Sequence, residues 1–257
     1  MAECEPKVAL VTGAAGGIGR AACERLAKNG WNVLAVDRDE AGLVYAKGSE
    51  HIRAFAADVS SEADNLAMVA KAEDAFGGLD AVLFNAAVEG GGTIDQVSFE
   101  DYKRIVGINQ FGPVLGIKAA LPALRRRGGG AILLTASTMG LAGDASNWAY
   151  ASSKHAVVGL VYSLSRELGC ENVRINAICP GLTRGTGMTR DLEAGAPEVY
   201  KALARATPLQ RWAEPDEMAA VMEFLVSPAA SFVHGIAMAV DGGAITGTGL
   251  VPPAASH

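Results

Sequence analysis

At 257 residues the chain can bury a large core and still fits the size of one α/β domain. Half of it is hydrophobic, 19% is charged and the formal net charge is −6. That balance excludes nucleic acid and anionic membrane as binding surfaces, since both need clustered positive charge. Cys4, Cys23, Cys170 and Cys179 form no CxxC pair and have no histidine at ligand spacing, so free thiols and no metal site are expected. The acidic start, Met1–Pro6, lacks the basic and apolar regions of a signal peptide, and no apolar run approaches bilayer length. A cytoplasmic protein without a membrane partner is the expectation.

In chain order the pattern is strand, glycine turn, helix, repeated. Lys7–Thr12 (KVALVT) is a short apolar run of the kind a buried parallel strand gives, and a helix follows over Arg20–Lys28, ending at Gly30. Further strands are predicted at Asn32–Asp37, Ile52–Ala57 and Ala81–Asn85, with helical stretches between them. One long helix is predicted over Phe99–Leu124, bent or bounded by Pro113 and Pro122. Its end is written by Arg125-Arg126-Arg127 and then Gly128-Gly129-Gly130, cations and glycine both suiting exposed carbonyls at the negative end of the dipole. Ala131–Ala136 and Val173–Ile178 read as strands, with a helix over Trp148–Leu168 that stops at Gly169. A polar, irregular insertion spans 183–209, a helix begins at Pro215, and Ile236–Val240 closes the pattern as a strand. This alternation means a doubly wound, Rossmann-like parallel sheet with helices on both faces, and residues 1–257 form a single domain.

In such a sheet a ligand binds beyond the carboxyl ends of the strands. Thr12-Gly13-Ala14-Ala15-Gly16-Gly17-Ile18-Gly19 stands there, after the first strand. Its glycines let the backbone approach a pyrophosphate whose charge meets the following helix N-terminus. Asp37, ending the second strand 18 positions after Gly19, can accept hydrogen bonds from the adenosine ribose hydroxyls. NAD is therefore the cofactor expected.

The spacing of Gly13, Gly17 and Gly19 resembles the Thr-Gly-x-x-x-Gly-x-Gly signature of the short-chain dehydrogenase/reductase family, and the likeness runs from Val8 to Gly243. The resemblance implies that Asp58 binds the adenine amino group with Val59 beside it and that Asn85 lies along the cofactor. It further implies that Pro180-Gly181 and the residues after them hold the nicotinamide carboxamide. Phe84-Asn85-Ala86-Ala87 stands in place of the family's Asn-Asn-Ala-Gly, and Gly185 stands where a threonine is usual, which leaves Thr183 or Thr186 to substitute.

Tyr150 and Lys154 are four apart on a predicted helix and share one face. Ser137 follows the fifth strand, and Asn109 lies within the preceding long helix. The family's catalytic residues are an Asn, a Ser and a Tyr-x-x-x-Lys, and Asn109, Ser137, Tyr150 and Lys154 match all four. Oxidising an alcohol removes its proton as hydride leaves the same carbon. A free tyrosine ionises near pH ~10, and a cation one turn away favours the phenolate. The expected roles are Tyr150 as acid/base, Lys154 as its tuner and ribose ligand, and Ser137 as holder of the substrate oxygen. By resemblance, Asn109 anchors a water that relays protons.

The function read from these residues is NAD-dependent interconversion of a small secondary alcohol and a ketone. Two rivals are an NADPH-dependent 3-oxoacyl-carrier reductase and a non-catalytic dinucleotide sensor. Met139, Trp148, Met188, Leu192 and Tyr200 are candidates for an apolar substrate wall. The Tyr150 helix, apolar through Val157, Val158, Leu160, Val161 and Leu164, suggests a homotetramer.

Overall fold

The computed structural model describes residues 5–190 and 195–247. Cys4, Leu192 and His257 lie outside them. Among the described residues seven strands form one parallel sheet in the order β3-β2-β1-β4-β5-β6-β7. They are β1 (Val8–Thr12), β2 (Asn32–Asp37), β3 (Ile52–Ala56), β4 (Ala81–Phe84), β5 (Gly130–Thr135), β6 (Val173–Pro180) and β7 (Ala237–Val240). The α-helices described are α1 (Gly17–Lys28), α2 (Glu62–Phe76), α3 (Phe99–Val106), α4 (Gly112–Arg126), α5 (Trp148–Leu168), α6 (Pro197–Ala206) and α7 (Pro215–Val226).

Both faces of the sheet are covered, which is why its strands read as unbroken apolar runs. In β1, Val8 and Leu10 join Met68 of α2, Ile117 of α4 and Val157 of α5 on one face. Their neighbours Ala9 and Val11 join Leu26 of α1 and Met222 of α7 on the other. Each fully buried side chain of this size contributes roughly 1.5–3 kcal/mol.

Two local departures from the sequence reading stand out. The long helix is not continuous: a π-helical turn, Gly107–Phe111, separates α3 from α4, and the Gly112 amide donates to the Gly107 carbonyl. Pro113 has no N–H to give the Asn109 carbonyl four residues earlier, so the regular ladder cannot pass through this point. The insertion at 183–209 is not irregular throughout, since α6 occupies ten of its residues with Pro197 at the start. α5 stops at its Gly169 C-cap as expected, and the chain then reverses at Asn172, with φ 56°.

The three arginines end α4 as expected, and each meets a carboxylate. Arg125 bonds Glu171 at 2.6 Å, Arg126 bonds Glu73 at 2.7 Å and Arg127 lies 3.6 Å from Asp80. The order in the sheet reverses between β1 and β4, and the crevice outside their carboxyl ends receives the glycine loop, residues 13–16.

Candidate active site

The glycine loop is drawn tightly against β4. Thr12 Oγ1 accepts from the Asn85 and Ala86 amides at 3.1 and 3.2 Å, and Asn85 Nδ2 donates to the Gly13 carbonyl at 3.3 Å. Gly13 holds φ +69°, and a Cβ on Gly19 would overlap the Gly13 carbonyl oxygen, so both positions demand glycine. No side chain caps α1, whose N-cap is Gly16, and a Cβ on Gly16 would meet nothing within 4 Å. The first-turn amides of Gly17, Ile18 and Gly19 have no side-chain cap, an arrangement that fits a pyrophosphate.

Asp37 ends β2 beside this loop. Its Oδ2 accepts from the Ala15 amide and its Oδ1 from the Asp39 amide, both at 3.0 Å. Asp58, following β3, accepts from the Ser60 hydroxyl at 2.7 Å and the Ser60 amide at 2.8 Å. Those bonds, and after them the charge of Arg38, hold its carboxyl below the usual range. Val59 lies against Gly112, and its carbonyl accepts from Asn65 Nδ2 at 2.8 Å.

Beyond β6, the Gly181 amide donates to the Val240 carbonyl at 3.0 Å, which places Pro180-Gly181 at the strand edge. The structure separates the two candidate threonines. Thr183 is buried and its hydroxyl donates to the Gly181 carbonyl at 3.2 Å. Thr186 sits over the glycine loop, where a Cβ on Gly17 would lie 3.2 Å from its Cα. Thr189 closes this turn, donating to the Thr183 carbonyl at 2.6 Å and pairing with the Thr186 hydroxyl at 2.9 Å.

Ser137, Tyr150 and Lys154 come together at the carboxyl end of β5. Ser137 caps a short 3-10 turn, Thr138–Gly140, with Oγ accepting from the Met139 amide at 3.1 Å. The Ser137 hydroxyl lies close enough to the Tyr150 phenol to favour its ionised form. Lys154 is 2% exposed; its Nζ donates to the Thr135 carbonyl at 2.7 Å and lies 5.5 Å from the Tyr150 ring centre. Burial pushes the Tyr150 phenol well above its usual range, the Ser137 hydroxyl opposes this, and the charge of Glu89 adds to it. Burial lowers the Lys154 ammonium to about 8. The lysine is therefore not what sets the phenol's proton affinity in this state; the dry surroundings are.

Asn109, at the π-turn, acts as a clip. Its side chain exchanges two 2.8 Å bonds with the Val88 amide and carbonyl and donates to Ser153 Oγ at 3.0 Å. Ser153 Oγ in turn donates to the Tyr150 carbonyl at 2.7 Å. The Asn109 side chain is thus fully used in fixing the β4 loop to α5, and Pro113 has no amide to offer its backbone carbonyl.

Several residues at the site escaped sequence reasoning. Thr12 was visible only as the first letter of the glycine motif. Glu89 and Asp144 stand on the loops after β4 and β5, which are joined by the Gly92 amide donating to the Ser146 carbonyl at 2.6 Å. Burial and then Asp144 push the Glu89 carboxyl up. Of the candidate wall, Tyr200 stacks on buried Trp212 at 4.5 Å and Trp148 on Tyr102 at 5.1 Å, while Met188 is exposed. The described histidines serve structure: His51 bonds Asn32, His155 the Ala151 carbonyl, and His234 the Ile175 amide and Ser165 carbonyl. No His, Cys, Asp or Glu cluster suited to a metal occurs among the described residues.

The family model described as enoyl-(acyl carrier protein) reductase matches residues 13–245. The chain is 39% identical over 249 residues to 2,5-dichloro-2,5-cyclohexadiene-1,4-diol dehydrogenase of Sphingobium indicum, covering 95% of this chain and 98% of that protein. It is 38% identical over 252 residues to meso-2,3-butanediol dehydrogenase of Serratia marcescens, covering 95% and 96%. Among solved structures, 3-ketoacyl-(acyl-carrier-protein) reductase from Brucella melitensis complexed with NADH matches with TM-score 0.88 and 33% identity over 94% and 99% of the two chains. Levodione reductase matches with TM-score 0.87 and 31% identity over 94% and 98%. These relatives are named for different alcohols and ketones but share one fold along nearly the whole chain, and the protein belongs with them: it is a member of the short-chain dehydrogenase/reductase family, an oxidoreductase that uses a nicotinamide dinucleotide to interconvert a secondary alcohol and a ketone.

Proposed function

We propose that the chain is an NAD(H)-dependent dehydrogenase of a small, neutral secondary alcohol, with Tyr150 as its acid/base. The observation that carries this reading is the Ser137–Tyr150 hydroxyl pair with Lys154 buried one helical turn away. When bound, the dinucleotide supplies the hydride acceptor or donor and, oxidised, a positive charge beside the reacting carbon. Gly13, Gly16, Gly17, Ile18 and Gly19 would hold its pyrophosphate, Asp37 its adenosine ribose, and Asp58 and Val59 its adenine. Asn85, Pro180, Gly181 and Thr183 would line the nicotinamide half, with Thr186 the better placed hydroxyl for the phosphates.

Ser137 would donate to the substrate oxygen and stabilise the charge that develops there. Tyr150 Oη would take the alcohol proton during oxidation and return it during reduction. Lys154, fixed on the Thr135 carbonyl, would present its remaining protons to the nicotinamide ribose and to the phenol. From there the proton would leave by way of the Asn109 carbonyl.

Glu89 and Asp144 argue for the substrate's charge. Their carboxylates pair with no cationic side chain among the described residues, and they favour a neutral substrate rich in hydroxyl donors over a hydroxy acid. The carrier-linked reductase draws support from the family model's description and the Brucella structure. Against it, Arg125, Arg126 and Arg127 are each engaged by a carboxylate rather than offered to an acidic carrier. The sensor reading is disfavoured because Ser137, Tyr150 and Lys154 are all kept.

We also place the enzyme in the cytoplasm as a homotetramer. No described helix is long and apolar enough to cross a membrane, and the described cysteines are free. Phe99, Phe111 and Tyr162, at least half exposed along α3, the π-turn and α5, supply apolar surface for a partner subunit, as does fully exposed Phe232. The deciding test measures NAD⁺ and NADP⁺ reduction over cyclic, aryl and steroidal alcohols, diols and hydroxy acids, with light scattering for subunit number. Turnover only of a carrier-bound 3-oxoacyl chain with NADPH would replace this reading.

A further inference from the structure

The segment after β2 touches the glycine loop in a way that neither the motif nor the catalytic cluster explains. Residues Glu40–Ala46 form a 3-10 helix laid across the loop's outer side. A Cβ on Gly42 would stand 2.5 Å from the Ala15 Cβ and 3.1 Å from its carbonyl, so only glycine allows this approach. From the same segment Tyr45 Oη donates to the Ala14 carbonyl at 3.0 Å. The Ala14 carbonyl and the Ala15 amide are the two ends of one peptide group, and the Ala15 amide is the donor to Asp37 Oδ2 at 3.0 Å. Tyr45 and Asp37 therefore grip one peptide plane from opposite ends, inside the loop that faces the pyrophosphate.

Tyr45 is itself held. Its ring lies under Arg20 of α1, with the guanidinium carbon 4.7 Å from the ring centre, and the buried Cys23 of the same helix lies beside its hydroxyl. The tyrosine thus ties together α1, whose N-terminus faces the phosphates, the glycine loop and the β2 end that carries Asp37.

We propose that Tyr45 is a positioning residue for the dinucleotide, fixing the Ala14–Ala15 peptide so that the loop amides and the Asp37 carboxylate are set together for the adenosine diphosphate half. The inference rests on the reading that the chain binds NAD(H). A peptide held at both ends cannot rotate to turn its carbonyl toward the phosphates, where it would repel them. With the Tyr45 hydroxyl removed, that rotation becomes available and part of the binding free energy goes to suppressing it.

The test is titration of NADH and of ADP-ribose into the purified full chain by calorimetry, for wild type, Tyr45→Phe, Asp37→Asn and the double variant. Tyr45→Phe keeps the ring and its contact with Arg20. It should weaken both ligands by about tenfold, the scale of one net hydrogen bond, while kcat at saturating NAD⁺ stays within about twofold. Because both residues act on one peptide, the double variant should bind only slightly worse than Asp37→Asn alone, a coupling that general loosening of the fold would not produce. Binding by Tyr45→Phe within twofold of wild type, or penalties that multiply in the double variant, would overturn the inference. If Tyr45→Phe does not fold, Gly42→Ala decides: weakened ADP-ribose binding supports the buttress, and unchanged binding refutes it. A wild type that binds neither NADH nor NADPH would instead remove the proposed function.

Discussion

Lys154 meets Tyr150 across its ring and not at its hydroxyl. The ammonium lies 5.5 Å from the ring centre, and it donates to the Thr135 carbonyl at 2.7 Å. The Tyr150 hydroxyl lies instead beside that of Ser137, which favours its ionised form. The two residues therefore carry separable duties, and mutation should separate them. Tyr150→Phe should lower kcat by at least a hundredfold, the lower end of general acid–base contributions, with NADH binding kept within a few-fold. Lys154→Ala should harm both kcat and NADH binding. Tyr150→Phe retaining more than a tenth of wild-type kcat would sink the mechanism.

The buried ammonium also makes stability depend on pH. Its folded value of about 8 lies below the ordinary 10.5, so between these values the unfolded chain holds a proton that the folded chain has released. Stability from this group consequently rises with pH across that window, and the penalty is fully present below pH 8. Each unit of depression is worth about 1.4 kcal/mol. Lys154→Met, which removes the penalty, should gain on wild type in melting temperature most at pH 7 and least near pH 10. A gap that widens with pH would contradict the burial argument.

Glu89 bears on the same chemistry from the other side. Its negative charge disfavours the Tyr150 phenolate, adding to the effect of burial. Glu89→Gln removes that charge with little change in shape. The alkaline rise of kcat/KM for alcohol oxidation should then begin several tenths of a pH unit lower, and turnover at pH 7 should increase. An unchanged profile would mean that Glu89 is too well solvated to matter.

How much of this could be read from the chain follows from which residues have local signals. β2 and α5 fall at Asn32–Asp37 and Trp148–Leu168 as the apolar periodicity required, because each is long, buried and flanked by turn residues. Asp37, Ser137, Tyr150 and Lys154 were legible because strand ends and helical spacing place them. The π-turn at Asn109 was not, since its only trace is Pro113, which also suits a simple kink. Tyr45 left no trace of its role, because its partner is a backbone carbonyl 31 residues away. Backbone partners carry no side-chain code, so a grip of that kind becomes visible only in three dimensions.

Cofactor preference gives the sharpest prediction, and Asp37 should be its cause. Its carboxylate, fixed by the Ala15 and Asp39 amides, keeps lone pairs for the two ribose hydroxyls of NAD. In NADP the same carboxylate would face a 2′-phosphate. Two unit charges 4 Å apart repel by about 1 kcal/mol in water and about 4 at an effective dielectric of 20. Loss of a hydroxyl bond to a charged acceptor adds roughly 1.5–3 kcal/mol, so discrimination of about a hundredfold or more is within reach. Arg38 is the adjacent source of rescue, and its charge also acts on Asp58. Wild type should therefore favour NAD⁺ over NADP⁺ by at least about a hundredfold in kcat/KM. Asp37→Ser should lose most of that margin from both directions: NAD⁺ loses its ribose ligand and the firm loop, while NADP⁺ loses the repulsion and gains Arg38. Equal use of both cofactors by the wild type would sink the assignment and put the carrier-linked reductase first.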